Sequence, residues 1–269
     1  MTKLLLIDAP GMMHRAWHGT KHSKRLTPKR FFRYVRDMAE LFGPTHIALA
    51  FDPPKDRLQR TALYPAYKGG RSVAEVAQRE IFDKIFLACT ASGLPTLIDM
   101  EWEADDIIGT LAQMPFDEVM IASDDKDMAQ LIEEHICVYS PIHRRTTTLQ
   151  VAEASFGVEV DQIPDLLAIE GDKVDNIPGV RGIGRKGAQK ALAALGDVPS
   201  ILEAGLFEGR DSELALFLEL TTIKTDLPNP LSGGDLACMA LDYEDEAVTF
   251  LNCSVEVRDL SWTLEKMSR

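Results

Sequence analysis

Five short apolar runs punctuate the first 140 residues of the chain, and the three longest run into an acid. Lys3-Leu-Leu-Leu-Ile-Asp8, His46-Ile-Ala-Leu-Ala-Phe51 followed by Asp52, and Glu118-Val-Met-Ile-Ala-Ser123 followed by Asp124 read as parallel strands buried on both faces. Shorter runs at Leu94–Ile98 and Ile136–Tyr139 add two more strands. Between them, helical spacing predicts a helix over 27–42, with Thr27 as N-cap, Pro28 at its first position, and Phe31, Phe32, Val35, Met38, Ala39 and Phe42 as its apolar face. A helix is predicted from about Ala74 to Cys89, and another opens at Glu103. Strands alternating with helices predict an α/β fold with a mostly parallel central sheet flanked by helices.

From about Val151 the pattern changes to helices without strands, over Val151–Phe156, Pro164–Ile169, Lys186–Leu195 and Glu213–Leu220. We therefore expect an α/β catalytic core over 1–157 and a helical region over 158–269. A basic segment from Lys55 to Arg71 leads into the Ala74 helix. Apolar residues at 45% and charged residues at 26% fit a compact globular chain and exclude a disordered or membrane-embedded one. The N-terminal apolar run is too short for a signal peptide or a membrane span. Cys89, Cys137, Cys238 and Cys253 have no metal-ligand spacing, so a reducing, cytoplasmic setting is expected.

A net charge of −13 argues against a nucleic-acid partner until its distribution is read. From His14 to Arg36 there are eight Lys or Arg residues and no acid, whereas from Asp197 to Glu246 twelve acids face only Arg210 and Lys224. The acids also concentrate where an open parallel sheet binds ligands, at the carboxyl ends of its strands. Asp8, Asp52, Asp125 and Asp127 fall there. Glu103, Asp105 and Asp106 crowd one helix start with no evident counter-charge, and Asp172 and Asp175 come from the helical region. Hard carboxylates in this number select Mg²⁺ or Mn²⁺ and suit a site of two or more ions that activates water on a phosphodiester. Lys68 and Arg71 are candidates for stabilising phosphate charge, with plain surface cations as the alternative. Gly182 and Gly184 before Arg185 and Lys186 suit a phosphate at a helix start, with an ordinary tight turn as the alternative.

Ile7-Asp8 with Arg15, Phe51-Asp52, Tyr67-Lys68-Gly-Gly-Arg71, Glu103-Ala-Asp-Asp106, Ser123-Asp-Asp-Lys-Asp127 and the run from Gly171 to Gly184 follow one another as in the 5′ nuclease family. The chain resembles that family over residues 3 to about 228, including Lys224-Thr-Asp-Leu-Pro228. The resemblance implies a PIN-like core, a short arch near 55–92, and a helix-three-turn-helix in the helical region. It implies a structure-specific 5′-3′ exonuclease and 5′-flap endonuclease acting on DNA with 5′ ends, flaps or branches. Asp8, Asp52, Glu103, Asp105 and Asp106 would surround a first metal, and Asp125, Asp127, Asp172 and Asp175 a second. Lys68, Arg71 and Arg15 match catalytic positions. Tyr67, Gly182, Gly184, Arg185 and Lys186 match DNA contacts, and main-chain carbonyls of Ile169, Glu170, Pro178, Val180 and Ile183 match a K⁺ site. The segment after Asp8, Ala9-Pro10-Gly11, departs from the common family pattern. No polymerase domain follows, so a free-standing monomer of bacterial or phage type is expected. A ribonuclease acting on RNA-DNA hybrids and a non-catalytic DNA-junction binding protein are the alternatives.

Overall fold

In the computed structural model, residues 1–54, 57–70 and 76–228 are described. Six strands form one sheet in the order β3-β2-β1-β4-β5-β6: β1 Lys3–Asp8, β2 His46–Phe51, β3 Thr96–Ile98, β4 Glu118–Ala122, β5 Ile136–Ser140 and β6 Arg145–Thr147. The first five are parallel and β6 is antiparallel to β5, so the expected mostly parallel sheet is found with one added edge hairpin. Register places Ile7 beside both Leu49 and Ala122. Asp8, Asp52 and Ser123 therefore emerge together at the carboxyl edge.

Helices α1 (Ala9–Gly19), α2 (Leu26–Phe42) and α4 (Val76–Ala91) cover one face of the sheet through Ile7, Met12, Phe31, Val35, Ile81 and Ile85. The basic tract is thus the α1-turn-α2 unit. Helix α2 starts at Leu26, one residue before the expected cap, and Thr27 is not its cap: buried at 0% exposure, its hydroxyl donates to Ser23 O at 2.7 Å. Thr27 is consumed by packing.

The other face is covered by α5 (Ala104–Ala112), a 3₁₀ turn over Lys126–Leu131, and the helical region. That region comprises α6 (Leu149–Phe156), α7 (Ile163–Glu170), α8 (Arg185–Leu195), α9 (Val198–Glu203) and α10 (Asp211–Thr221). It shares one apolar core with the sheet, running from Leu4, Leu6 and Ile121 through Ile163 and Leu166 to Phe217. Among the described residues no helix is long and apolar enough to cross a membrane.

After α10 the chain returns across α5. Lys224 N donates to Asp106 Oδ1 at 2.9 Å, Leu227 N to Thr110 Oγ1 at 3.2 Å, and Gln130 bonds both Thr221 O and Ile223 N. Arg60, on the short helix α3 (Gln59–Leu63), locks this crossing. Its five donor hydrogens find Leu220 O (3.1 Å), Glu103 Oε2 (2.9 Å), Asp106 Oδ2 (2.6 Å), Asp106 Oδ1 (2.7 Å) and Thr222 O (2.8 Å). The Leu220 and Thr222 bonds also satisfy carbonyls at the end of α10.

Two outcomes follow from this crossing. Gly109 lies so close to the returning chain that a Cβ would sit 2.6 Å from Lys224 O and 2.7 Å from Ile223 Cγ2. Alanine's helix preference is worth about 1 kcal/mol, but forcing backbone apart costs about 1–3 kcal/mol, so Gly109→Ala should lower the urea midpoint rather than raise it. Arg60→Met strands two buried carboxylates and should destabilise by about 3–5 kcal/mol in the same measurement.

Candidate active site at the acidic sheet edge

Asp8 ends β1 and caps α1, accepting from Gly11 N at 3.0 Å and from Ser123 Oγ at 2.6 Å. A Cβ at Gly11 would stand 2.6 Å from Asp8 Oδ2, so the Ala-Pro-Gly sequence that departs from the family pattern makes a tight helix start around the carboxylate. Asp52 Oδ1 accepts from Ala104 N at 2.8 Å, which fixes the start of α5 against the end of β2. Asp125 caps the 3₁₀ turn through Asp127 N at 2.9 Å, and its own N–H donates to Ser123 Oγ at 3.0 Å. Ser123 therefore braces two of the acids, a role its sequence position alone does not disclose.

The three acids at the start of α5 part company. Asp106 is fully buried, and its two oxygens accept from Arg60, Lys224 N and, across a capping box, Glu103 N. Both its oxygens are thus engaged in contacts that tie the start of α5 to Arg60 and to the returning chain. Glu103 is buried among Arg60, the Tyr67 hydroxyl at 2.9 Å and the Lys68 ammonium. Burial alone would raise its pKa, yet Lys68 and Arg60 hold it below the ordinary glutamate value. The counter-charges missing from the local sequence are thus supplied from 57–70. Asp105 alone of the three turns toward Asp8 and Asp125. Burial holds it well above the usual carboxylate range, against the pull of Lys68 and with the reinforcement of Asp125, Asp8 and Glu103.

The same crowding raises two others. Burial pushes Asp8 up to about 6 despite its bonds from Ser123 and Gly11, with Asp52 and Asp125 adding to the rise. Burial, then Asp125, push Asp127 up to about 7, with Lys126 acting against them. Asp127 Oδ1 is buried and has no hydrogen-bond partner. From the helical region, Asp172 accepts from Lys126 at 2.6 Å, and Asp175 Oδ2 lies 3.2 Å from the Tyr67 hydroxyl. Eight of the nine expected acids therefore border one edge. Among the described residues, however, no three of them close into a ready-made metal cage. Lys68 and Lys126 hold Glu103 and Asp172 in ion pairs instead.

The fit to divalent ions rests on the residues themselves. All donors are hard carboxylate oxygens, three of the acids resist ionisation as they stand, and one buried oxygen lacks any donor. A cavity of about 20 Å³ between Asp105, Asp127, Asp172 and Asp175 has room for one water.

The remaining expected residues divide. Lys68 (φ 51°) is buried beside Glu103, and its N–H donates to Asp175 O at 2.9 Å. Arg71 lies outside the described residues, as do 55–56 and 72–75 of the expected arch. Arg15 stacks over Tyr34 at 4.8 Å and lies 3.6 Å from Asp124. Tyr67, expected at a DNA surface, is 3% exposed and braces Glu103 from inside the core. In the loop from 171 to 184, the sterically obligatory glycines are Gly171 and Gly179, which cross so closely that a Cβ on Gly179 would sit 2.4 Å from Gly171 N. Gly182 (φ 86°) and Gly184, the N-cap of α8, leave open space around them, and Lys186 is exposed. Arg185 is held by Glu170 in a two-pronged pair at 2.9 and 2.6 Å. Of the five carbonyls expected for K⁺, those of Ile169 and Val180 accept backbone bonds from Val180 and Ile183.

Comparison with known proteins agrees with this arrangement. Residues 3–158 match the family "5'-3' exonuclease, N-terminal resolvase-like domain" and residues 158–244 match "5'-3' exonuclease, C-terminal SAM fold". A 5'-3' exonuclease of Aquifex aeolicus is 31% identical, with 88% of this chain and 86% of that protein covered. DNA polymerase I of Bacillus caldotenax is 32% identical over 92% of this chain, which spans only 31% of the polymerase. The structure of a bacteriophage T5 flap endonuclease, in a pseudo-enzyme-product complex with DNA and metal ions, shares the fold. Its TM-score is 0.70 at 23% identity, covering 93% of this chain and 97% of that one. With both halves matched in order and the acids on one sheet edge, the chain belongs to the 5′-3′ exonuclease family of metal-dependent nucleases.

Proposed function

We propose that this chain hydrolyses DNA phosphodiesters at 5′ ends and 5′ flaps, with Mg²⁺ as its ion and Mn²⁺ able to substitute. The observation that carries this reading is the buried Asp127 oxygen without a hydrogen-bond partner, on a carboxyl that burial, then Asp125, pushes up to about 7. Asp8, Asp52, Glu103 and Asp105 would hold a first ion, and Asp125, Asp127, Asp172 and Asp175 a second. Bound there, such ions supply an ionised water at neutral pH and offset charge on the leaving oxygen.

The protein's own groups do the rest. Ser123 and Gly11 fix the direction of Asp8. Tyr67 and Arg60 fix Glu103, so that the Lys68 ammonium, which Glu103 holds at the site's margin, is oriented to meet a phosphate. Residues 1–157 carry most of the chemistry in this reading, with Asp172 and Asp175 added from the helical region, which also grips duplex. The open start of α8 at Gly184 and the exposed Lys186 suit a backbone phosphate, with Arg185 engaged by Glu170. Potassium on the loop carbonyls would stiffen that grip.

Incubation of a 5′-labelled flap duplex with Mg²⁺ should release the flap, with RNA-DNA flaps cut in parallel to rank the substrates. No cleavage of flap, nick or overhang in Mg²⁺ or Mn²⁺ would reject the proposal. Asp105→Asn should lower the cleavage rate by on the order of 10²–10³-fold with little loss of stability, and Asp106→Asn should show the opposite balance.

pH supplies a second test. Asp8 and Asp127 are raised from 3.8 to about 6 and about 7, so protonation favours the folded, ion-free protein. The stability they contribute is full below about pH 4 and lost as pH rises through 6 to 7. The ion-free melting temperature should therefore fall from pH 5 to pH 8, whereas Mn²⁺ affinity should rise over the same interval as protons leave the carboxylates. A flat affinity profile would contradict the ligand assignment.

A further inference from the structure

Lys126 has no part in the reaction as proposed, yet it sits among the same acids. Its ammonium lies 2.6 Å from Asp172 Oδ2 and 3.9 Å from Asp127 Oδ1. The first contact joins the end of the sheet to the helical region. Asp172 is otherwise committed, since its Oδ1 accepts from Val174 N at 2.7 Å and Asp175 N at 3.3 Å. The Asp172 side chain is 3% exposed, whereas that of Lys126 is 46% exposed.

This differs from the other cations at the edge. Arg60 is enclosed, with all five donors used. Lys68 is buried against Glu103. Lys126 has one close partner, a flexible four-carbon stem and open solvent beside it, so its ammonium can leave without unfolding anything.

We propose that Lys126 is an exchangeable counter-cation: it neutralises Asp172 and Asp127 in the ion-free protein and competes with the divalent ion for those carboxylates. It thereby sets the ion concentration at which the second position fills. The inference rests on the reading that Asp127 and Asp172 hold an ion. Its basis is the shared carboxylate: the ammonium takes one acceptor position of Asp172 Oδ2 at 2.6 Å and sets a positive charge where an ion on Asp172 and Asp127 would bring another.

The test is calorimetric titration of Mn²⁺ into the full chain without DNA, at a pH above 7. Lys126→Met should bind Mn²⁺ roughly three- to tenfold more tightly than the parent, as expected for removing one cation at this distance and exposure. Lys173→Met removes an exposed cation from the loop that carries Asp172 and should bind as the parent does. Lys126→Arg keeps the charge and should bind no more tightly. Ion-free Lys126→Met should also melt below the parent, and Mn²⁺ should restore more of its stability. Unchanged or weaker binding by Lys126→Met overturns the inference, as does equal tightening in Lys173→Met. If Lys126→Met fails to fold without ions, Lys126→Gln is read by the same criteria. Asp127→Asn and Asp172→Asn separate the two levels. If neither weakens Mn²⁺ binding, the ion site itself is misplaced; if both do and Lys126→Met does not tighten it, only the counter-cation role fails.

Discussion

Crowding carboxylates onto one sheet edge is stable only if positive charge or protons come with them, and the rest of this structure is arranged around that constraint. Arg60 meets the largest share. Its guanidinium neutralises Asp106 in a two-pronged pair, touches Glu103, and spends its remaining donors on carbonyls at the end of α10. One buried side chain thereby joins the segment before Lys68, the start of α5 and the returning chain. A lysine there would have fewer donors and no fork to match both Asp106 oxygens.

Where cations do not suffice, backbone and protons add to them. Asp8 and Asp125 begin helical turns and accept N–H groups there, and Ser123 links the two. Burial raises Asp105, Asp127 and even the well-bonded Asp8, so protons lower the cost of the edge there. Backbone and hydroxyl bonds thus fix the direction of Asp8 and Asp125, while Asp127 keeps an oxygen without a partner. The glycines serve the same end: Gly11 lets α1 turn against Asp8, and Gly171 with Gly179 lets the Asp172 loop fold onto the core.

The sequence made the scaffold legible because buried parallel strands are unbroken apolar runs, and an acid ending such a run stands out. It disclosed the strand-end acids and the helical region for that reason. Elements whose logic is tertiary stayed hidden. Arg60 and Lys126 looked like members of charged segments, since their partners lie 46 residues away in each case. Asp105 and Asp106 could not be ranked from spacing, because neighbouring helical positions diverge by about 100° and the facing partner decides which one is locked. Tyr67 sits in a basic stretch that suggests a surface, but its ring is in the core. Thr27 precedes a proline as an N-cap would, yet packing draws it inside the helix.

Fixed and exchangeable charge have different consequences for a site that must take up ions. A guanidinium with every donor used lowers the cost of the acidic edge permanently and leaves the net charge near Asp105 and Asp127 negative. An exposed ammonium lowers that cost only until something better arrives, so the same residue can protect the empty edge and yield it to an ion. Replacing Lys126 by a second enclosed arginine would stabilise the ion-free fold at the expense of ion binding. The flexible stem of an exposed lysine, with one strong contact, is what lets both requirements be met by a single side chain.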